Sequence, residues 1–270
     1  MIKFFRNIRF DLMSTNKTGK YLKYAIGEIL LVVIGILIAL GINNWNENRK
    51  LRNQELLYLE NLKSDLSLQI QMLDVYIEYE NIIINQSNDI IAHYNLNNGF
   101  NNMDSIFPKL HDLSTRWTFS NANSTLIQML NSNQINIIQN QKLKNELIEF
   151  NQQIDLFTTN TNMNNANLVD HLTTPTFIEI GSFAKHGVSH IMTQKFNDFY
   201  PFEVNKVNDM ELDDISKKFI NEPIHKLELI NKIVYRNTVS TLQKSGNQAL
   251  KKRAKEILIT LEKETELRTK

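Results

Sequence analysis

From Asn43 to Asn98 the chain runs through 56 residues without a glycine or a proline. Such a stretch leaves no room for sheet topology, since a β-sandwich or barrel needs a turn signal every ~8–12 residues. The scarcity is general. Eight glycines and four prolines among 270 residues amount to about 4%, where an average protein carries about 12%. A dinucleotide or P-loop fold would need a glycine-rich phosphate loop, and the sequence offers none. The expected fold class is therefore all-α, built from long helices. Apolar residues at 42% and charged residues at 22% suffice for a packed core. With no cysteine, disulfide scaffolds, thiolate zinc sites and thiol catalysis are excluded, while the redox compartment stays open.

The net charge of +1 hides a division. Residues 1–23 carry six bases against Asp11, whereas residues 43–270 carry 24 bases against 27 acids. Between them, residues 24–42 form a 19-residue run whose one charge is Glu28. As a helix this run rises ~28 Å, close to the hydrocarbon thickness of a bilayer. It is read as a single transmembrane helix, with a cytoplasmic arm before it (1–23) and an extracytoplasmic region after it (43–270). The excess of Lys and Arg on the N-terminal side sets that orientation. A cleaved signal peptide would use 29–42 as its apolar region and Ala39-Leu40-Gly41 as the cleavage site. The 23 preceding residues, with Phe4, Phe5 and Phe10, are long for that role. Trp45 suits the interfacial anchor of a retained helix.

Within the arm, Ile2, Phe5, Ile8 and Leu12 share one helical face, and Lys3, Arg6 and Arg9 line a neighbouring stripe. The three bases are candidate contacts to an anionic inner leaflet; equally, they serve only to fix topology. Glu28 lies about one turn inside the membrane helix, where snorkelling, the helix dipole and nearby lysines lower the cost of its charge. Gly27, Gly35 and Ala39, with Leu31 in step, form a stripe of small residues that another helix could approach. Glu28 borders it. Gly27, Glu28, Gly35 and Ala39 are thus the candidate surface for a membrane-helix partner, against the alternative of a tolerated interfacial carboxylate.

The run Lys20-Tyr21-Leu22-Lys23-Tyr24-Ala25-Ile26-Gly27-Glu28, continuing through Leu40 to Ile42-Asn43-Asn44-Trp45-Asn46-Glu47, resembles the N-terminal signature of the bacterial membrane family catalogued as domain of unknown function 6090. The opening Ile2-Lys3-Phe4-Phe5-Arg6-Asn7-Ile8-Arg9 is similar as well. A second match joins Leu126-Ile127-Gln128-Met129-Leu130-Asn131-Ser132 to Asn136-Ile137-Ile138-Gln139-Asn140-Gln141-Lys142-Leu143-Lys144. Family members often place a glycine near the turn between these pieces, where this chain has Gln134. The resemblance implies a single-pass protein of Gram-negative bacteria with a helical extramembrane region, and it brings no activity, ligand or catalytic residue.

Beyond the membrane the periodicity predicts an elongated antiparallel bundle. A long helix over 43–95 carries Leu59, Leu62, Leu66, Ile70, Leu73, Ile77, Ile84 and Ile91 at spacings of three, four and seven, and ends in the Asn95–Gly99 stretch. Ser105–Leu113, interrupted by Pro108, reads as a capping element. A helical hairpin follows over 123–172, turning near 132–135, with Asn140 as N-cap and Leu143, Leu147, Phe150, Ile154 and Phe157 as its buried stripe. The polar run 160–167 is expected to fray or face solvent. An irregular segment over 173–203 gathers Pro175, Gly181, Gly187 and Pro201. A long C-terminal helix over 224–266, with the stripe Leu227, Ile230, Val234, Leu250, Ala254, Ile257, Leu261, breaks or bends near Gly246. Its basic end, Lys251, Lys252, Arg253 and Lys255, reads as a solvated face or as a surface for lipid headgroups.

Chemistry is sparse. His186 and His190 have the i, i+4 spacing of metal ligands, but Gly187 weakens the helix and no metalloprotease glutamate follows. His171 beside Asp170, and His111 beside Asp112, are neighbours in sequence, which on a helix point apart. No catalytic, cofactor-binding or metal residue is assigned, and nucleic acid is not an expected partner. The expected role is a membrane-anchored interaction or scaffold protein contacting lipid and a protein partner, or self-associating, in the bacterial inner membrane with its C-terminal region periplasmic. The alternative is a ligand-sensing helical bundle that signals through a membrane partner.

Overall fold

The computed structural model describes residues 18–101, 103–180, 207 and 209–269. Every regular element among them is helical. In chain order these are α1 (Thr18–Asn97), α2 (Met103–Leu113), α3 (Ser124–Asn131), a 3₁₀ turn (Gln134–Ile137), α4 (Gln141–Asn164), a π-helical segment (Asn165–Thr173), α5 (Thr174–Glu179), α6 (Met210–Ile220) and α7 (Pro223–Thr269). The chain divides into two units, Met1–Leu57 and Tyr58–Lys270.

In the first unit α1 turns its apolar side chains outward. From Ile26 to Ile42 the large aliphatic residues are 46% to 65% exposed, on a helix long and apolar enough to cross a membrane. Polar character returns at Trp45, whose ring lies 5.6 Å from the Arg49 guanidinium, and at the Lys50–Glu47 pair, 3.0 Å apart.

In the second unit three helices bury seams spaced alternately by three and four. On α1 the seam is Leu59, Leu62, Leu66, Gln69, Leu73, Tyr76, Glu80, Ile83, Ser87 and Ile90; on α4 it is Leu143, Leu147, Phe150, Ile154 and Thr161, with half-buried Phe157 in step. On α7 it is Leu229, Ile233, Arg236, Ser240, Gln243, Asn247, Leu250, Ala254, Ile257 and Leu261. This is a repeat of 3.5, the period that keeps one stripe facing a packed neighbour along many turns. Cross-helix bonds fix the register. Asp74 meets Lys251, Asn88 accepts from Asn237 at 2.9 Å, and Asn98 accepts from Lys226 at 3.2 Å. The numbers rise on α1 as they fall on α7, and Asn140 with Glu264 begins a matching series between α4 and α7.

Two apolar clusters result. One gathers Leu59, Leu66, Phe119, Leu147, Phe150 and Ile257; the other gathers Ile83, Ile90, Phe100, Phe107, Leu229 and Ile233. Trp117 touches both.

Several expectations change. Ile70, Ile77, Ile84 and Ile91 only flank the α1 seam and are half-buried. Leu227 and Val234 are 56% and 45% exposed, because the buried face of α7 carries Arg236 and Ser240 instead. Gly246 does not break α7: the helix runs through it, and the missing side chain admits Phe157, whose Cε2 lies 2.2 Å from where a Cβ would stand. Pro108 sits inside α2 without ending it. The polar run 160–167 stays helical and buries Thr161 and Asn165, the latter donating to the Trp117 carbonyl at 3.1 Å. Residues 173–179 are helical, with Pro175 in the first turn of α5; residues 181–203, including His186 and His190, lie outside the described residues. Helix α6 was not foreseen, although its signals are present: Asp209 accepts from Glu211 N at 2.9 Å as N-cap, acids open the helix and lysines close it. The turn before α4 uses Asn133 in the left-handed region (φ 57°) where a glycine would be favoured, and Asn140 caps α4 by accepting from Leu143 N at 3.1 Å.

Candidate functional site

Residues 115–123 adopt no regular structure, so most of their backbone groups lack the partners that a ladder or helix supplies. Buried backbone polar groups must be satisfied by something. Polar side chains on and beside the α1 seam supply part of the answer. Asp65 accepts from Thr125 N at 2.7 Å, Gln69 from Ala122 N at 2.7 Å. The Tyr76 hydroxyl accepts from Ser120 N at 2.9 Å and donates to the Thr118 carbonyl at 3.1 Å. Tyr79 donates to the Thr115 carbonyl at 2.8 Å. Gln69, Tyr76 and Tyr79, spaced by seven and three, thus strap an extended segment along the helix.

Arg236 completes the strap from α7. Its side chain is 1% exposed, a position that an arginine holds only when its donors are used. Nε donates to the Leu113 carbonyl at 3.3 Å, Nη1 to the Ser240 hydroxyl at 2.7 Å, and Nη2 to the Tyr79 hydroxyl and the Thr115 carbonyl, both at 3.2 Å. One guanidinium therefore joins α1, the C-terminus of α2, the strap and α7. Its positive charge also suits the last carbonyls of α2.

Glu80, 6% exposed, lies at the same level. Burial raises its carboxyl to about 7, opposed by the Arg236 charge and by a hydrogen bond with Ser240. Its Oε2 has no hydrogen-bond partner. Burial likewise pushes the Tyr79 hydroxyl up to about 12, against the pull of Arg236. Gln243 Nε2, Asn247 Oδ1 and Thr161 Oγ1 are also buried without partners. The first two continue the α7 seam from Ser240. Thr161 is one turn beyond Phe157, which packs on Gly246, so the antiparallel register brings it opposite the same turn of α7. The arrangement is a polar layer between two apolar clusters. It can hold a proton on Glu80 and order hydrogen bonds; it lacks the pairing of nucleophile and base that covalent chemistry requires.

The residues singled out from the sequence lie elsewhere. Gly27, Gly35 and Ala39 are exposed on α1, and nothing lies within 4 Å of a Cβ built at either glycine; Glu28 is half-exposed beside them. Lys3, Arg6 and Arg9 lie outside the described residues. Asp170 pairs with Arg116 at 2.9 Å, away from any histidine partnership, and Asp112 accepts from Gln86 at 3.1 Å. Among the described residues no group of three or more His, Asp or Glu is placed to hold a metal ion. Lys251 and Arg253 of the basic C-terminal cluster face acids, Asp74 and Glu256. The Glu80–Arg236 layer was missed because both charges occupy core positions of their helices; counting heptads from Leu73 and Leu229 would have found them.

These features define a class: an all-helical protein with one helix long and apolar enough to cross a membrane and a helical unit whose core is interrupted by a buried polar layer. Residues 28–149 match the model of a family of unknown function, DUF6090. The match takes in Glu28 and the apolar run after it, Glu80, and both pieces of the motif around Gln134. No curated protein and no solved structure matches the chain.

Proposed function

We propose that this is a membrane-anchored interaction or scaffold protein. The apolar run of α1 spans the bacterial inner membrane, residues 1–23 stay in the cytoplasm against the inner leaflet, and residues 43–270 form an elongated antiparallel helical bundle in the periplasm that docks a protein partner or self-associates. The carrying observation is the outward-facing aliphatic surface from Ile26 to Ile42, which in water would leave far more contiguous apolar area exposed than soluble proteins tolerate. An interior filled by Leu, Ile and Phe in two clusters favours a docking role over a ligand cavity. Nothing in the layer calls for catalysis, and no enzymatic role is assigned.

The expected result of alkaline extraction is retention in the membrane fraction. A periplasm-dependent reporter fused after Lys270 is expected to be active, and a cytoplasm-dependent one silent. Release by alkali, or the reverse reporter pattern, overturns the anchor or its orientation. Glu28→Leu is expected to leave insertion intact and to reduce in-cell crosslinking to a membrane partner; unchanged crosslinking removes the pairing role for Glu28.

One observation favours a second reading, a ligand-sensing bundle that signals through a membrane partner: Gln243 and Asn247 present buried polar atoms without partners. A small polar molecule that raises the thermal midpoint of the wild type, and not of Asn247→Leu, would support it.

A further inference from the structure

The polar layer separates the two apolar clusters of Tyr58–Lys270. Toward one side α1 and α7 are joined by Leu73 and Leu250, toward the other by Ile83 and Ile233. Between them stand Glu80, Arg236, Ser240 and Gln243. Arg236 directs its donors to two carbonyls and two hydroxyls, so its guanidinium attracts the Glu80 carboxylate as a nearby charge while its hydrogen bonds go elsewhere. One carboxyl oxygen of Glu80 is left without a partner. A neutral carboxylic acid tolerates that position far better than a carboxylate does.

We propose that this layer is a proton-operated joint: with Glu80 neutral the two clusters stay packed as one body, and with Glu80 ionised the helices open at this level to admit water to the carboxylate. The inference does not depend on the membrane reading. On the elements that meet in this layer the titratable and charged groups nearest in sequence are Tyr76 and Tyr79 of α1, His111 and Asp112 in the last turn of α2, and Arg236 of α7, while Thr115 of the strap and Thr161 of α4 are neutral; of these, Tyr79 and Arg236 interact electrostatically with Glu80. The tyrosines stay protonated through the neutral range.

The sign follows from linkage. Burial raises Glu80 from its ordinary value to about 7, so the stabilisation is complete below ~pH 4.5 and is lost as the pH climbs through about 7. Any local opening that exposes Glu80 becomes easier over the same window.

Hydrogen–deuterium exchange on the full chain in nanodiscs tests this. After correction for intrinsic rates, peptides covering 79–87, 113–119 and 236–247 are expected to exchange at least about tenfold faster at ~pH 8.5 than at ~pH 5.5, while peptides covering 59–73 and 250–261 change little. Glu80→Gln, which keeps the shape and cannot ionise, is expected to abolish the difference. Infrared spectroscopy gives a reading on the wild type alone: a protonated-carboxyl band present at ~pH 5.5 and absent at ~pH 8.5. An exchange difference that persists in Glu80→Gln, one spread evenly over all segments, or no difference in the wild type overturns the joint.

Discussion

Replacing Arg236 by methionine is expected to destabilise the Tyr58–Lys270 unit by about 3–5 kcal/mol at ~pH 8. The variant removes the guanidinium from the carbonyls of Leu113 and Thr115 and the hydroxyls of Tyr79 and Ser240; the Thr115 carbonyl keeps the Tyr79 hydroxyl, and a buried acceptor left with no partner costs about 1–3 kcal/mol. It also leaves Glu80 without the one charge that favours its ionised form. The second loss matters only where Glu80 ionises, so the penalty is expected to shrink at ~pH 5. Guanidinium denaturation at the two pH values measures both terms. Arg236→Lys is expected to recover little, because one ammonium cannot reach four acceptors in a planar fork. A penalty that is equal at both pH values would mean that Glu80 is not coupled to Arg236.

Gly246→Ala is expected to destabilise the same unit by about 1–3 kcal/mol. The sign is the informative part, since glycine to alanine inside a helix ordinarily gains ~1 kcal/mol. Here the new methyl would stand 2.2 Å from Phe157 Cε2 and 3.0 Å from Cδ2, so the ring must leave its place on α7. That ring also makes an edge-on contact with Phe119, 5.3 Å between centroids. Gly246→Val is expected to cost more. A double-mutant cycle separates packing from propensity: in a Phe157→Ala background, which carries its own cavity cost, Gly246→Ala is expected to turn neutral or stabilising. A gain in the wild-type background would mean that the helices separate freely at this point.

The all-helical fold was legible because glycine and proline are so few, and the apolar run because no competing pattern obscures it. What escaped the sequence was the phase of the buried faces. Choosing only apolar residues selects Ile70, Ile77, Ile84 on α1 and Leu227, Val234 on α7. The packed seams lie one or two positions away, on Gln69, Tyr76, Ile83 and on Leu229, Ile233, Arg236. Those polar residues are inside because an extended strap with no ladder of its own needs side-chain partners, and nothing local in 115–123 announces that need. Gly246 misled for the opposite reason: a glycine that breaks a helix and one that seats a neighbouring ring look alike until the ring is found. Asn140 and the Asn95–Gly99 stretch were readable because caps and left-handed positions are set within a few residues.

The alternating three and four of the α1 seam also limits how the chain can change its length. Deleting one residue between Gln69 and Glu80 turns everything beyond it by about 100°, carrying Glu80 away from Arg236 and exposing Ile83 and Ile90 together. Removing seven restores the phase and shortens the helix by about 10 Å. Length variation among relatives along this helix is therefore expected in whole heptads, with compensating heptads in α7, and a lone insertion should appear only where a helix ends, as at Asn97.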